Sequence, residues 1–334
     1  MLKGTFDYLK KQEYFFGLLM TVLFFIILAI FNPYFLSVDN FDSLQTTIAP
    51  NAIVAIGMML LMVLGMFDLS VGSVMGMSGI ATGYVLSRTA LVASWGNTWV
   101  IVAAIAAGLA VGLIVGFING ILVAWGKIVP LITTVGTLYI VRGLAEMIMT
   151  GKEAYSLNGF PQAFVDFGNT KILGLYVMTW ICIILLIVTG LILKNTHTGR
   201  SLYYIGGNQR SAVSLGFHVN KVTILTFILS GLLSSVAGIL SVARYQSASR
   251  YLGKDLQLDI LIACIIGGGS LLGGRGSMWG VLFGTAFVTL LQNGFNLFEI
   301  NPLYKSVIIG GMLVLVVAAD GYLYLKKMRE LGKA

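Results

Sequence analysis

The feature that most constrains this chain is a succession of apolar runs, each close to the roughly 20 residues that a helix needs to cross a bilayer. The first reaches from Tyr14 to Phe31, directly after Lys10, Lys11 and Glu13. Of the 334 residues 57% are apolar and 10% charged, against about 25% charged in an ordinary soluble domain. A water-soluble fold cannot hide that much apolar surface behind so few charges. Soluble enzyme, nucleic-acid binder and disordered chain are excluded together. The net charge of +8 does not point to nucleic acid, because the cations flank apolar runs rather than line a polar face. Cys182 and Cys264 each sit inside an apolar run with no ligand cluster nearby, and read as buried small hydrophobes. No disulfide framework and no metal site is predicted.

The reading is an all-α polytopic membrane protein of one transmembrane domain, 1–334, with about ten segments and eight as the alternative count. They lie at 14–31, 47–67, 72–87, 98–125, 129–149, 173–193, 222–243, 256–272, 277–298 and 304–325. The first is read as retained: Asn32-Pro33-Tyr34-Phe35 follows it, an interfacial turn rather than a small-residue cleavage site. With both termini cytoplasmic, thirteen of the 21 Lys and Arg fall on the inward side, as the positive-inside rule requires. The tail Lys326-Lys327-Met328-Arg329 and an inward loop at 194–221 dominate that bias. A second polar stretch, 150–172, is then extracytoplasmic. A GxxxxGK[ST] phosphate loop is absent, so the chain carries no nucleotide site or catalytic residue of its own.

Segments 72–87 and 256–272 are short and adjoin glycine-rich stretches, 65–73 and 267–277. Short, glycine-interrupted segments in both halves point to broken helices beside a pathway. The halves echo each other weakly: Gly72-Ser73-Val74-Met75-Gly76 with Gly276-Ser277-Met278-Trp279-Gly280, and Asn119-Gly120 before Pro130 with Asn293-Gly294 before Pro302. Gly112, Gly116 and Gly120, and Gly280 and Gly284, are spaced for close helix packing.

Ionisable groups inside spans are functional candidates. Asp68 precedes Ser70, Gly72 and Ser73 at an expected break, where a carboxylate caps the next helix or touches substrate. Arg142 and Glu146 are spaced i,i+4 and are expected to form an intramembrane ion pair, with a substrate hydroxyl as the alternative partner. Asp259 and Asp320 lie near span ends, where water reaches them. No chain of intramembrane acids or histidines suggests ion coupling. Thr133, Thr134, Thr137, Asn119 and the Gln292-Asn293 pair suit a neutral polyhydroxylated cargo, and equally suit bonds between helices. In the inward loop Asn208 is the expected N-cap of a short helix over 209–215 ended by Gly216. Such a helix, parallel to the membrane, is a docking device.

Several motifs together resemble the permease subunits of the ribose/galactose/xylose class of bacterial ABC importers, over nearly the whole chain. They are Asp68-Leu69-Ser70-Val71-Gly72-Ser73, Pro130 to Thr137 continuing to Arg142-Gly143, and Gly199-Arg200, Gly206-Gly207-Asn208, Ala212 and Gly216. Ile266-Gly267-Gly268-Gly269-Ser270 and Gly273-Gly274-Arg275-Gly276-Ser277 complete the set. Asp255-Leu256-Gln257-Leu258-Asp259 departs from the pattern of an acid followed by Leu and small residues. The resemblance implies an inner-membrane homodimer or heterodimer of permeases with the pathway between them. Two cytoplasmic ATPase domains carrying ATP-Mg would dock on 206–216, with Arg200 and Arg210 pairing to acids there. An extracytoplasmic binding protein would deliver a sugar or related neutral solute; the class carries pentoses, hexoses, inositol, autoinducer-2 and, in cousins, nucleosides. The rival readings are a secondary transporter or channel for small polar solutes, and a membrane-embedded enzyme.

Overall fold

A computed structural model describes residues 12, 14–88, 96–149 and 156–330. Both chain termini and part of the 150–172 loop, with Lys152 and Glu153, lie outside the described residues. Each of the ten apolar segments falls on a helix. In chain order these are α1 (Phe15–Phe31), α2 (Val38–Val63), α3 (Val71–Leu86), α4 (Asn97–Ala124), α5 (Pro130–Ile148), α7 (Val177–Asn195), α10 (Val219–Tyr245), α11 (Leu256–Ile266), α12 (Met278–Leu297) and α13 (Pro302–Glu330). Five of them, α2, α4, α5, α7 and α10, have the length and apolar composition to cross a membrane; α1, α3 and α11 are shorter apolar helices. Between them lie α6 (Gln162–Asn169), α8 (His197–Gly207) and α9 (Gln209–Ser214).

Two boundaries differ most from the sequence reading, each for a local reason. Helix α2 begins at Val38 rather than 47, because Ser37 Oγ accepts the Asn40 N–H at 3.2 Å and caps it. Its first turns are mostly exposed, but Asn40 is buried and its Nδ2 donates to the Phe35 carbonyl at 2.8 Å. Hydropathy alone is blind to such a start. Helix α11 ends at Ile266 rather than 272, since Gly268, Gly273 and Gly274 hold φ of 91°, 87° and 75°, a region helices do not use.

At the centre α10 packs most extensively against α4, and further against α2 and α3. Small residues bring the backbones together. A Cβ on Gly116 would stand 2.5 Å from the Phe227 carbonyl oxygen and one on Gly120 2.9 Å from Ile224 Cα, while Gly112 faces the Gly231 carbonyl. Phe227, fully buried, fills the seam with Leu61 and Val123. A second glycine seam joins α12 to α11, where Gly280 and Gly284 lie on the backbone of Gly267 and Ala263. The expected packing role of both glycine series is therefore met.

The internal echo holds in part. Asn119-Gly120 and Asn293-Gly294 both lie near helix C-termini, and Pro130 and Pro302 both open the next helix. Gly72 sits inside α3, whereas Gly276 precedes α12, so that match joins unlike positions.

Two short antiparallel ribbons tie the polar connections down. Strand β1 (Ser156–Leu157) pairs with β4 (Ala248–Ser249), and β2 (Lys171–Ile172) with β3 (Leu175–Tyr176).

Candidate functional site

The break between α2 and α3 is built around Asp68, which is 1% exposed. Its Oδ1 accepts the Ser70 backbone N–H at 2.8 Å and the Ser70 hydroxyl at 2.6 Å. Asn119 Nδ2, from α4, donates to Ser70 Oγ at 3.0 Å. The carboxylate thus stabilises a turn two residues ahead of the helix, holding the N-cap residue rather than the first helical N–H groups. Of the expected pathway residues, Asp68, Ser70 and Asn119 come together here.

The others do not join them. Thr134 Oγ1 donates to the Pro130 carbonyl at 2.9 Å and Thr137 Oγ1 to that of Thr134 at 3.2 Å, local bonds within α5. Thr133 is buried on the same helix. Asn293 is elsewhere, its Nδ2 donating to Asn40 Oδ1 at 2.6 Å and joining α12 to α2. Asp259 and Asp320 are not simply hydrated at span ends. Gln292 Nε2 donates to Asp259 at 2.7 Å, and the Ser270 hydroxyl to Asp320 at 3.1 Å.

The expected close ion pair between Arg142 and Glu146 is absent. Arg142 Nη1 donates instead to the carbonyls of Arg250 and Leu252, at 3.1 and 3.2 Å. Glu146 and Asp255 act on it only through space. Both bonds come from the one nitrogen, so the guanidinium is held against the backbone of the connection rather than along its own helix. Sequence spacing could not reveal those carbonyls, because they belong to the connection before α11. Glycines let that connection lie on α3: a Cβ on Gly76 would stand 2.5 Å from the Leu252 carbonyl and 3.1 Å from Arg142 Nη1, and Gly72 faces the Gly253 carbonyl.

Between α5 and this connection opens a cavity of about 640 Å³. Tyr139, Arg142, Glu146, Tyr251, Lys254 and Asp255 line it, with Leu69 of the break at one edge. Tyr139, Arg250, Tyr251 and Lys254 escaped sequence reasoning, and Asp255 entered it only as part of a departure from pattern. The departure from pattern at Gln257, which also lines the cavity, was the available signal.

The 194–221 loop folds as expected over its second half. Asn208 Oδ1 accepts the Ser211 N–H at 3.0 Å, α9 follows, and Gly216 ends it at φ 84°. Its faces, however, are divided. Gly199 and Ala212 pack inside the chain, Ala212 at 1% exposure, while Gly206 is half-buried and a Cβ on it would strike the Val63 carbonyl. Gly199 and Ala212 therefore face the chain's own interior. Arg200, Gly207, Asn208, Arg210 and Gly216 remain on the surface beside Val213 and Leu215. The loop also grips both helix breaks. Tyr203 OH donates to the Gly276 carbonyl at 2.7 Å, and the Gly274 N–H to the Val63 carbonyl at 2.9 Å beneath Gly206.

One further network was not anticipated. Asp42 accepts from Lys171, from Tyr176 OH at 3.1 Å and from Gln45 Nε2 at 2.9 Å. Arg244 donates to Tyr176 OH at 3.0 Å and to Asn169 Oδ1 at 2.7 Å. The bond to Asp42 lifts the Lys171 amine above its ordinary pKa.

Helices broken at glycine, buried polar caps and a polar cavity along an apolar bundle define a multi-pass membrane permease. Residues 40–317 match the family model described as branched-chain amino acid transport system / permease component. The chain belongs to that family. It is similar to the ribose import permease protein RbsC of Haemophilus influenzae, 33% identical over 96% of both chains. Similar too are the L-arabinose transport system permease protein AraH of Escherichia coli, at 36% over 96% of this chain and 94% of the relative, and the D-allose transport system permease protein AlsC of the same organism, at 30% over 88% of both. The resemblance read from the motifs is borne out. No solved structure matches the chain.

Proposed function

We propose that this chain is the permease subunit of an ABC importer that carries a monosaccharide or a similar neutral solute across the bacterial inner membrane. Similarity along almost the whole length to permeases named for ribose, L-arabinose and D-allose carries this reading. Two permease subunits, identical or related, enclose the pathway, and a binding protein delivers the cargo at the side of the 150–172 loop. Two ATPase domains holding ATP-Mg dock at the 194–221 loop, through the exposed surface of Gly207, Arg210, Val213 and Leu215.

The polar cavity is the cargo's path past α5. Tyr139 and Tyr251 offer apolar ring faces to the C–H side of a sugar, while Glu146 and Lys254 offer an acceptor and a donor to its hydroxyls. The loop grips the break through Tyr203 and Gly206, so movement of an attached ATPase reaches 267–277 and Val63 without a flexible linker.

The test is uptake of labelled monosaccharides into proteoliposomes. Uptake should require this chain, an ATPase partner, ATP and the binding protein together, and Tyr251→Ala should lower it while ATPase co-purification stays intact. Leu215→Asp should do the reverse, lowering co-purification. Sugar uptake by the chain alone, driven by a proton or sodium gradient, would make it a secondary transporter.

A further inference from the structure

A groove of about 910 Å³ runs along one face of α7, closed at one end by α8 and the first turn of α12. On α7 it is lined by Ile183, Leu186, Ile187, Gly190, Leu191, Leu193 and Lys194, one broad face of the helix. From Ile183 to Lys194 that face is roughly 16 Å long, about half of a hydrocarbon core of some 30 Å. It is as deep as one leaflet. Gly190 forms the notch: a Cβ there would meet nothing closer than Met278, at 3.6 Å.

The chemistry changes sharply at one end. Lys194 and Arg200 stand at the mouth, both exposed, next to Tyr204 and Trp279. Trp279 is 59% exposed and Tyr204 54%, as amphipathic rings are at headgroup level. No acidic side chain lines the groove among the described residues. Two cations beside an apolar channel of leaflet depth are complementary to one class of molecule, a lipid with an anionic headgroup. The charges argue against the chain's own first residues as occupant, since Lys3, Lys10 and Lys11 outnumber Asp7 and Glu13 there.

We propose that this groove is an anionic phospholipid site, with acyl chains along α7 and the phosphate between Lys194 and Arg200. The site stands independently of what the permease carries. It ties the α7–α8 corner, from which the inward loop hangs, to the surface charge of the membrane.

Native mass spectrometry of the full chain, released from detergent and titrated with phosphatidylglycerol or phosphatidylcholine of the same acyl length, tests it. Phosphatidylglycerol adducts should exceed phosphatidylcholine adducts by at least about ten-fold, since each cation near a surface attracts anionic lipid by about 1 kcal/mol. Lys194→Gln with Arg200→Gln should bring that ratio near one, with helical circular dichroism unchanged. Gly190→Leu, filling the notch, should reduce adducts of both lipids. Equal adducts in the native chain, an unchanged ratio in the double variant, or undiminished binding in Gly190→Leu would overturn the site. Adducts that vanish only when the chain dimerises would assign the groove to a second copy instead.

Discussion

Helices α2 and α7 are both apolar enough to span a membrane, yet they live in different solvents. The most apolar stretch of α2, with mean hydropathy 1.9, is 83% buried; that of α7, at 2.4, is 22% buried. Helix α4 extends the trend at 2.7 and 22%. The more hydrophobic helix is the more exposed one, because lipid is as apolar as a leucine core and rewards exposure of aliphatic side chains. What distinguishes an interior helix is small and polar groups: α2 buries Asn40, Gln45 and Thr46 beside its aliphatic residues. Helix α5 departs from this trend. With mean hydropathy only 1.4 it is still just 28% buried. A helix that is neither apolar enough for lipid nor covered by its own chain belongs against water or a partner, which is where the polar cavity lies.

The comparison can be broken at several places. The largest effect is expected in the α4–α10 seam. Gly112→Leu would drive a side chain into the Gly231 backbone and Ser235 Oγ. Overpacking ordinarily costs about 1–3 kcal/mol or more, and a backbone obstacle cannot rotate away. Such protein should fail to give a monodisperse peak in detergent gel filtration; normal assembly would mean that the seam is loose.

Next comes the buried cap. Asp68→Leu leaves the Ser70 N–H unpaired, at a cost of about 1–3 kcal/mol. Thermal unfolding in detergent should fall by several degrees, and Asp68→Asn, which keeps an acceptor, should recover most of it. Equal unfolding temperatures in the two variants, with transport lost in both, would assign Asp68 a role that depends on charge.

A smaller change probes the grip of the 194–221 loop. Tyr203→Phe removes one bond to Gly276, about 0.5–1.5 kcal/mol, so the stability shift should be slight. If the loop transmits force to 267–277, ATP hydrolysis should continue in the reconstituted complex while uptake per ATP drops. Unchanged coupling would leave the bond purely structural.

The smallest effect on folding is expected on the exposed face of α5. A Cβ on Gly136 meets nothing within 4 Å, so Gly136→Leu should leave the thermal unfolding of the isolated chain unaltered. Weakened pairing of permease subunits, read by cross-linking in membranes, would identify that face as their contact. Unaltered pairing together with unaltered uptake would make it a lipid face and remove α5 from the comparison.

Much of the architecture was legible before the fold was seen. Ten apolar stretches located ten helices, because the cost of unpaired backbone in hydrocarbon compels each long apolar run to be helical. Glycine density located both breaks, and Asn208 and Gly216 located the ends of α9, since capping is decided within a few neighbouring residues. Membership of a permease family was legible as well, in motifs spread along the chain.

What the sequence by itself determined is thus what depends on near neighbours and on the solvent: the membrane class, the helices, the caps and the glycine seams. Tertiary structure alone decided which residues meet. Arg142 turned from Glu146 to the carbonyls of Arg250 and Leu252; Ala212 turned inward; Asp42, Lys171, Tyr176 and Arg244 converged from separate segments. A side chain's partner is set by whichever polar group the packed backbone brings within about 3 Å, and chain separations above a hundred residues carry no periodicity from which to read it.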